Sequence, residues 1–261
     1  MLNRAFTSSS IGAIAAAGLF CVVEPTQATV ITRNGSTVVS DTYEGDTVGS
    51  GVVGDSGAWD PSNGNYLWSP STIAAVTNSG SPGAYSGSQY AIIANGSGNN
   101  HLTASMTLAV GNALKFDSMV YIPSTTAALD YPFQFMVIGD NAIDGSTLGL
   151  PNRLLDFYRY ANGNWETSGV AGTYSGPSSF AANTWQRWTL DYTVGAASAT
   201  LTIDGVSASI LAANTVLQGS NGILTIIAGG GQPIYFDNVP EPTSVAAVAI
   251  GALALMRRRH H

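Results

Sequence analysis

Apolar and polar positions alternate over several short stretches, and nowhere does an apolar stripe persist at helical spacing. Over His101 to Val110, Leu102, Ala104, Met106, Leu108 and Val110 share one face, and over Leu114 to Ile122, Leu114, Phe116, Val120 and Ile122 do so, with Ser118 among them. Trp185 to Val194 is the clearest case. Trp188, Leu190, Tyr192 and Val194 point one way, and Arg187, Thr189, Asp191 and Thr193 the other. Trp185 and Trp188 therefore lie on opposite faces, and Trp188 is assigned to the core. Phe133 to Ile138 is a nearly continuous apolar run, which predicts a central strand. Leu154 to Tyr160, Ala199 to Ile203, Ile223 to Ala228 and Ile234 to Asp237 complete the strands read from pattern.

Turn signals separate these stretches. Asn-Gly occurs at Asn34-Gly35, Asn63-Gly64, Asn95-Gly96, Asn162-Gly163 and Asn221-Gly222, and Asp-Gly at Asp144-Gly145 and Asp204-Gly205. Such pairs tolerate positive φ and favour tight hairpins. Many short antiparallel strands solve their edge and burial problems as a two-sheet sandwich. The expectation is an all-β chain, an antiparallel jelly-roll sandwich over residues 29–239, with no second domain. Residues 55–90, rich in Ser, Gly, Asn and Pro, read as a surface loop system packed by Trp59, Tyr66 and Trp68. Gly229-Gly230-Gly231 reads as a loop or bulge, since it lacks the Lys-Ser/Thr ending of a phosphate loop.

The two ends break this pattern. Residues 1–28 have the layout of a signal peptide: Arg4, the apolar run Ile11 to Val23, then Glu24-Pro25, with Thr26-Gln27-Ala28 offering small residues for cleavage by signal peptidase after Ala28. Cys21 would serve a lipoprotein signal, but bulky Phe20 precedes it. At the other end Pro240-Glu241-Pro242 is followed by twelve apolar residues, Val245 to Met256, and by Arg257-Arg258-Arg259. As a short hydrophobic helix that run spans about 18 Å, against a hydrocarbon core of about 30 Å. The arginines would stay on the cytoplasmic side. The segment suits a transient halt at the inner membrane.

This tail, residues 240–261, resembles the PEP-CTERM sorting signal of Gram-negative bacteria, with its motif, short apolar helix and basic cluster in the family's order. The resemblance implies recognition of Pro240, Glu241 and Pro242 by an exosortase, and delivery to the cell envelope, surface or extracellular matrix. A second resemblance lies in the body. Trp185-Gln-Arg-Trp188-Thr-Leu190-Asp-Tyr192 and Ala199-Thr-Leu-Thr-Ile203-Asp204-Gly205 look like the central hairpin of laminin G-like, concanavalin A-like sandwiches. Asp41 to Gly49 and Tyr235 to Val239 are similar to the first and last strands of such domains. That family implies carbohydrate binding as a common role, without fixing a ligand.

Composition narrows the function. Only 10% of residues are charged, against roughly 25% in an average soluble domain. Between residues 29 and 239 five Lys and Arg face fourteen Asp and Glu, a net charge of −9. That balance argues against a nucleic-acid partner, which needs clustered cations. One cysteine excludes a disulfide framework or a cysteine zinc site.

Catalytic chemistry is thinly represented. A retaining glycosidase needs two carboxyls about 5–5.5 Å apart. The body holds only Glu44 and Glu166 as glutamates, His101 as its one histidine and Lys115 as its one lysine. Arg153 and Arg159 are weak support for a lyase and are expected to pair with Asp156 or meet solvent. The expectation is no enzyme and no catalytic residues, with a divergent glycan-cleaving enzyme as the remote alternative. Asp140, Asn141 and Asp144 form one oxygen-rich cluster suited to calcium, and Asp55, Asp60, Asn63 and Asn65 another; neither fits the EF-hand spacing, and turn formation is the plainer reading of both. Carbohydrate-binding candidates are Trp59, Tyr66, Trp68, Tyr85, Trp165 and Tyr174, aromatics in turn-rich stretches. The functional expectation is an exported, non-enzymatic surface or matrix protein associated with exopolysaccharide; the alternative is a lectin-like carbohydrate-binding module, with or without calcium.

Overall fold

A computed structural model describes residues 29–49, 75–93, 100–124, 133–140, 153–159, 164–167, 170, 172, 175–228 and 233–239. The segments expected to be a signal peptide and a sorting tail lie outside these residues.

Among the described residues fourteen strands make two antiparallel sheets. In chain order they are β1 (Thr29–Arg33), β2 (Ser36–Asp41), β3 (Ala75–Thr77), β4 (Tyr90–Ile93), β5 (Asn100–Thr107), β6 (Ala113–Tyr121), β7 (Phe133–Asp140), β8 (Arg153–Arg159), β9 (Trp165–Thr167), β10 (Trp185–Thr193), β11 (Ser198–Ile203), β12 (Val206–Leu211), β13 (Asn221–Ala228) and β14 (Ile234–Asp237). The larger sheet runs β12-β11-β10-β6-β14-β4-β3, with the β1–β2 hairpin joining through β6. The smaller runs β5-β13-β7-β8-β9. The fold is an all-β jelly-roll sandwich, and no helix occurs among the described residues.

The alternation read from the sequence explains the core. Leu114, Phe116 and Val120 of β6 and Trp188, Leu190 and Tyr192 of β10 are buried, and register sets Leu190 opposite both Phe116 and Leu201. From the other sheet come Leu102, Ala104, Leu224, Ile226, Leu155 and Phe157. Phe133–Asp140 is the middle strand of its sheet, as its continuous apolar run predicts. Three hydroxyls admitted to the interior are bonded to one another. Tyr43 Oη donates to Thr29 Oγ1 at 2.7 Å, and Thr29 Oγ1 lies 2.7 Å from Ser118 Oγ. The three hydroxyls fasten β1, β6 and the segment after β2 where β14 ends.

Two predicted hairpin turns are present. Asn34-Gly35 and Asp204-Gly205 have positive φ at both residues, the mirror-image turn that matches strand twist. Asn221-Gly222 is a correction: both residues belong to β13. A Cβ on Gly222 would sit 2.1 Å from Leu108 Cδ1, so this glycine serves a close packing contact rather than a turn. Val110 is a second correction. The strand ends at Thr107, Asn112 Oδ1 accepts the Ala109 amide, and Val110 is 69% exposed. Thirdly, β3 and Tyr90 of β4 fall within residues 55–90, read as irregular. Fourthly, Asp41 to Gly49 is not a strand: Asp41 closes β2, and turns and bends make up most of residues 42–49. Gly229–Gly231 and the Asn-Gly or Asp-Gly pairs at 63, 95, 144 and 162 lie outside the described residues.

Candidate functional site

The most distinctive chemistry lies on the outer face of the larger sheet. In β10 the core positions are even-numbered, so Trp185 and Arg187 point outward. Register places Trp185 beside Tyr121 of β6, and Tyr121 beside Tyr235 of β14. Ring centroids are 5.6 Å apart for each of these pairs. Tyr90 lies 6.0 Å from Tyr235 and 6.2 Å from Trp185, edge-on to the latter, and Tyr85 is 6.2 Å from Trp185. Five rings from β4, β6, β10, β14 and one loop thus form a cluster on the outer face, in which Tyr90 is itself buried. Tyr121, Trp185 and Tyr235 are half-buried and Tyr85 is 45% exposed.

The loop that carries Tyr85, residues 78–89, is held against this face by two carboxylates. Asp237, at the end of β14, accepts the backbone amides of Tyr85 and Ser86 and that of Asn238. Glu44 accepts the Ser88 amide at 2.7 Å, the Ser88 hydroxyl at 2.8 Å and the Gln89 amide at 2.8 Å. Trp185 Nε1 donates to Gly83 O at 3.1 Å, and Tyr90 Oη to Ser79 O at 3.0 Å. Burial pushes the Asp237 carboxyl up to about 7, with nearby Glu44 adding to the rise, although the three amide donors oppose it. A carboxyl in that range is often a functional acid. Here it is fully buried and its oxygens face backbone amides, which makes it a loop fastener.

Along the same outward face Arg187 forms a two-pronged ion pair with Asp117, Nε to Oδ1 at 2.9 Å and Nη2 to Oδ2 at 2.7 Å. Lys115 stands directly opposite Asp191. The face passes from aromatic at one end to charged and hydroxyl-bearing at the other.

A second feature sits where β8 ends and β9 begins. A recess of about 270 Å³ is lined by Arg159, Asn164, Trp165, Ser175, Gly176, Pro177, Ser178 and Phe180. Register pairs Arg159 with Trp165, and the Arg159 Cζ lies 4.0 Å from the centroid of the Phe180 ring. Phe180 and Trp165 both pack on core Trp188. The 175–181 segment is positioned by Gln186, whose amide donates to Ser179 O and Asp204 Oδ2 and accepts from Ala181 N.

The predicted carbohydrate aromatics are scattered by this arrangement. Tyr85 is exposed and belongs to the outer-face cluster. Trp165 is a correction: it is 3% exposed, packed among Phe157, Phe180 and Trp188, with Gly176 laid against its indole. Its turn-rich surroundings concealed a strand that places it in the core. Trp59, Tyr66, Trp68 and Tyr174 lie outside the described residues, as do the calcium candidates Asn141 and Asp144; Asp140 is the last residue of β7. Among the described residues no group of three His, Cys, Asp or Glu is arranged to hold a metal ion. Arg153 pairs with Asp156, as expected. Sequence reasoning missed Tyr121, Trp185 and Tyr235. The signal was available in part, since alternation alone puts Trp185 on the face opposite Trp188.

No known protein family and no curated protein matches the sequence. Among solved structures, the botulinum neurotoxin serotype G binding domain is similar over 84% of this chain and 51% of its own, at 13% identity and a TM-score of 0.39. The chain therefore spans about half the length of that domain. The lectin UEA-II, solved with galactose, is similar over 63% of this chain and 92% of its own, at 8% identity and a TM-score of 0.37. An alginate lyase is similar over 54% and 74%, at 12% identity and a TM-score of 0.31. At these identities the likeness is one of fold.

Proposed function

We propose that this protein is an exported, non-enzymatic component of the cell surface or matrix whose sandwich binds glycan chains. The observation that carries the binding reading is the cluster of Tyr85, Tyr121, Trp185 and Tyr235 on the solvent side of the larger sheet. Aromatic rings offer apolar faces to the C–H faces of sugars, and tyrosine hydroxyls offer polar handles. A charge-poor chain that places rings outside its core gives a neutral glycan more to hold than it gives a nucleic acid or a metal. The non-enzymatic reading draws on the carboxyls: Glu44 and Asp237 are both occupied in fastening the 78–89 loop.

Export and sorting rest on the two terminal segments. They flank the fold closely. β1 begins at Thr29, directly after the expected signal peptidase site, and Val239, the last described core residue, directly precedes Pro240. In this reading exosortase processes the tail while its apolar helix pauses in the inner membrane, and the body is delivered to the exopolysaccharide outside.

The test uses the full chain purified in a non-ionic detergent. Binding to a panel of neutral oligosaccharides is measured for the wild type, Trp185→Ala and Tyr121→Ala. Saturable binding weakened at least tenfold by either substitution, with thermal stability held, supports the reading; binding that ignores both sinks it. Separately, replacing Pro240-Glu241-Pro242 by alanines should leave the tail attached by mass spectrometry, and normal tail removal in that variant removes the sorting proposal.

A further inference from the structure

We infer that β12, the open edge of the larger sheet, pairs antiparallel with β12 of a second copy of this chain, joining two sandwiches into one continuous sheet across a two-fold axis. The inference is independent of glycan binding.

β12 ends the path of the larger sheet, and among the described residues no strand pairs with its far side. Exposed edges are normally blunted by lysine, proline, inward charges or a covering segment, because their free N–H and C=O groups are ready to pair with another strand. β12 runs Val206-Ser-Ala-Ser-Ile-Leu211 and contains neither proline nor any charge, and its Val206, Ser207, Ser209 and Leu211 are exposed. Sheet ends elsewhere are less open. β3 and β9 have three residues each, and Arg33 donates to the Thr107 carbonyl where β5 ends.

Register says which groups face outward. The two-residue turn Asp204-Gly205 makes Ile203 and Val206 a hydrogen-bonded pair. Pairs alternate from there, so Val206, Ala208 and Ile210 bond to β11, and Ala212 continues the series by donating to Ala197 O at 2.9 Å. Ser207, Ser209 and Leu211 therefore turn their N–H and C=O groups away from β11. In keeping with that direction, Leu211 O accepts from Thr167 Oγ1 of the other sheet at 2.9 Å, and a carbonyl has a second lone pair to offer. The antiparallel register that uses all three residues centres on Ser209. It sets Ser209 opposite the partner's Ser209 and Ser207 opposite the partner's Leu211.

Charge selects a second copy as the occupant. A net charge of −9 over residues 29–239 makes two copies repel over most of their surface. Residues 205–236 carry no Asp, Glu, Lys, Arg or His. β12 and the segment after it lie in that stretch. Six large hydrophobic residues are exposed among the described residues, and Val206, Leu211 and Val216 of this stretch are three of them. A fourth, Val110, borders Gly195 in the β10–β11 turn, as does Thr215. A two-fold interface uses the same patch twice, so an uncharged edge complements itself, whereas a charged partner finds nothing here to select it. Both outer faces then lie on one side of the joined sheet, with the two β6 strands about 34 Å apart, seven strand spacings of about 4.8 Å.

Sedimentation equilibrium of the full chain in density-matched non-ionic detergent reads the association. The wild type should show a monomer–dimer equilibrium. Ser209→Lys sets two like charges face to face on the axis while making the body less negative. General charge repulsion would thus ease in this variant, yet the edge contact should weaken at least tenfold. Thr193→Lys makes the same charge change at an exposed position of β10 and should leave the dimer as tight or tighter. A covalent readout guards against misfolding of the lysine variant. In a Cys21→Ser background, Ser209→Cys should form a disulfide-linked dimer on oxidation, since directly opposed hydrogen-bonded residues lie about 5.5 Å apart at Cα. Thr193→Cys should stay monomeric. A monomeric wild type, a dimer that survives in folded Ser209→Lys, or equal cross-linking of the two cysteine variants overturns the proposal.

Discussion

The Asp237 carboxylate accepts the backbone amide of Ser86 at 3.0 Å across 151 residues of chain, so the last strand of the sandwich holds the loop that carries Tyr85. This bond has a pH signature. The folded carboxyl sits at about 7 against an ordinary 3.8. The unfolded chain therefore releases its proton near pH 4 and the folded chain near pH 7. The stability this group contributes is full below pH 4 and is lost as pH rises through 7. Asp237→Asn should flatten that part of the profile. Between pH 5 and 8 its stability should fall less than the wild type's, by about 1–3 kcal/mol. Chemical denaturation at the two pH values measures the difference, and identical slopes would refute it.

Glu44 fastens the other end of the same loop. In Glu44→Ala the amides of Ser88 and Gln89 lose their acceptor and should exchange with solvent at least tenfold faster. Core amides such as that of Leu190, held in the β10 ladders, should keep their wild-type exchange. Hydrogen exchange read by mass spectrometry over residues 84–90 checks this.

Gly176 and Gly222 are both closed to any side chain. A Cβ would lie 2.2 Å from Trp165 Nε1 at the first and 2.1 Å from Leu108 Cδ1 at the second. Both alanine variants should destabilise by about 1–3 kcal/mol, the usual cost of overpacking. Gly176→Ala should be the worse, because a rigid indole cannot rotate aside as a leucine can. Thermal melts of the two variants order them.

The Arg187–Asp117 pair is two-pronged yet partly exposed, with 46% of the arginine side chain accessible. A double-mutant cycle with alanine at each position should give about 0.5–1 kcal/mol at low salt. In 1 M salt the coupling should shrink to near zero, since the screening length falls to about 3 Å. A coupling above about 2 kcal/mol would show that the pair is better shielded than its exposure indicates.

Some of this was legible along the chain and some was not. The β10 alternation and the Asn34-Gly35 and Asp204-Gly205 turns depend only on neighbours in sequence, and they stand in the structure as read. Asn221-Gly222 misleads because its glycine answers to Leu108, more than a hundred residues away. Trp165 misleads for the same kind of reason: a three-residue strand carries too short a pattern to distinguish a core tryptophan from a loop tryptophan.

What the sequence determined by itself was the class of fold, the hairpins and the outward direction of Trp185, because a period of two and a positive-φ turn are properties of a few adjacent residues. The composition likewise fixed the scarcity of charge before any fold was known. Which rings meet outside the core, which carboxylates hold a loop and which arginine lies against an aromatic base were decided only by tertiary structure. Alternation tells which residues share a face. It does not tell what strand lies next to them or what loop crosses over them, and those two facts place Tyr121, Trp185 and Tyr235 together, bury Asp237, and set Arg159 beside Phe180.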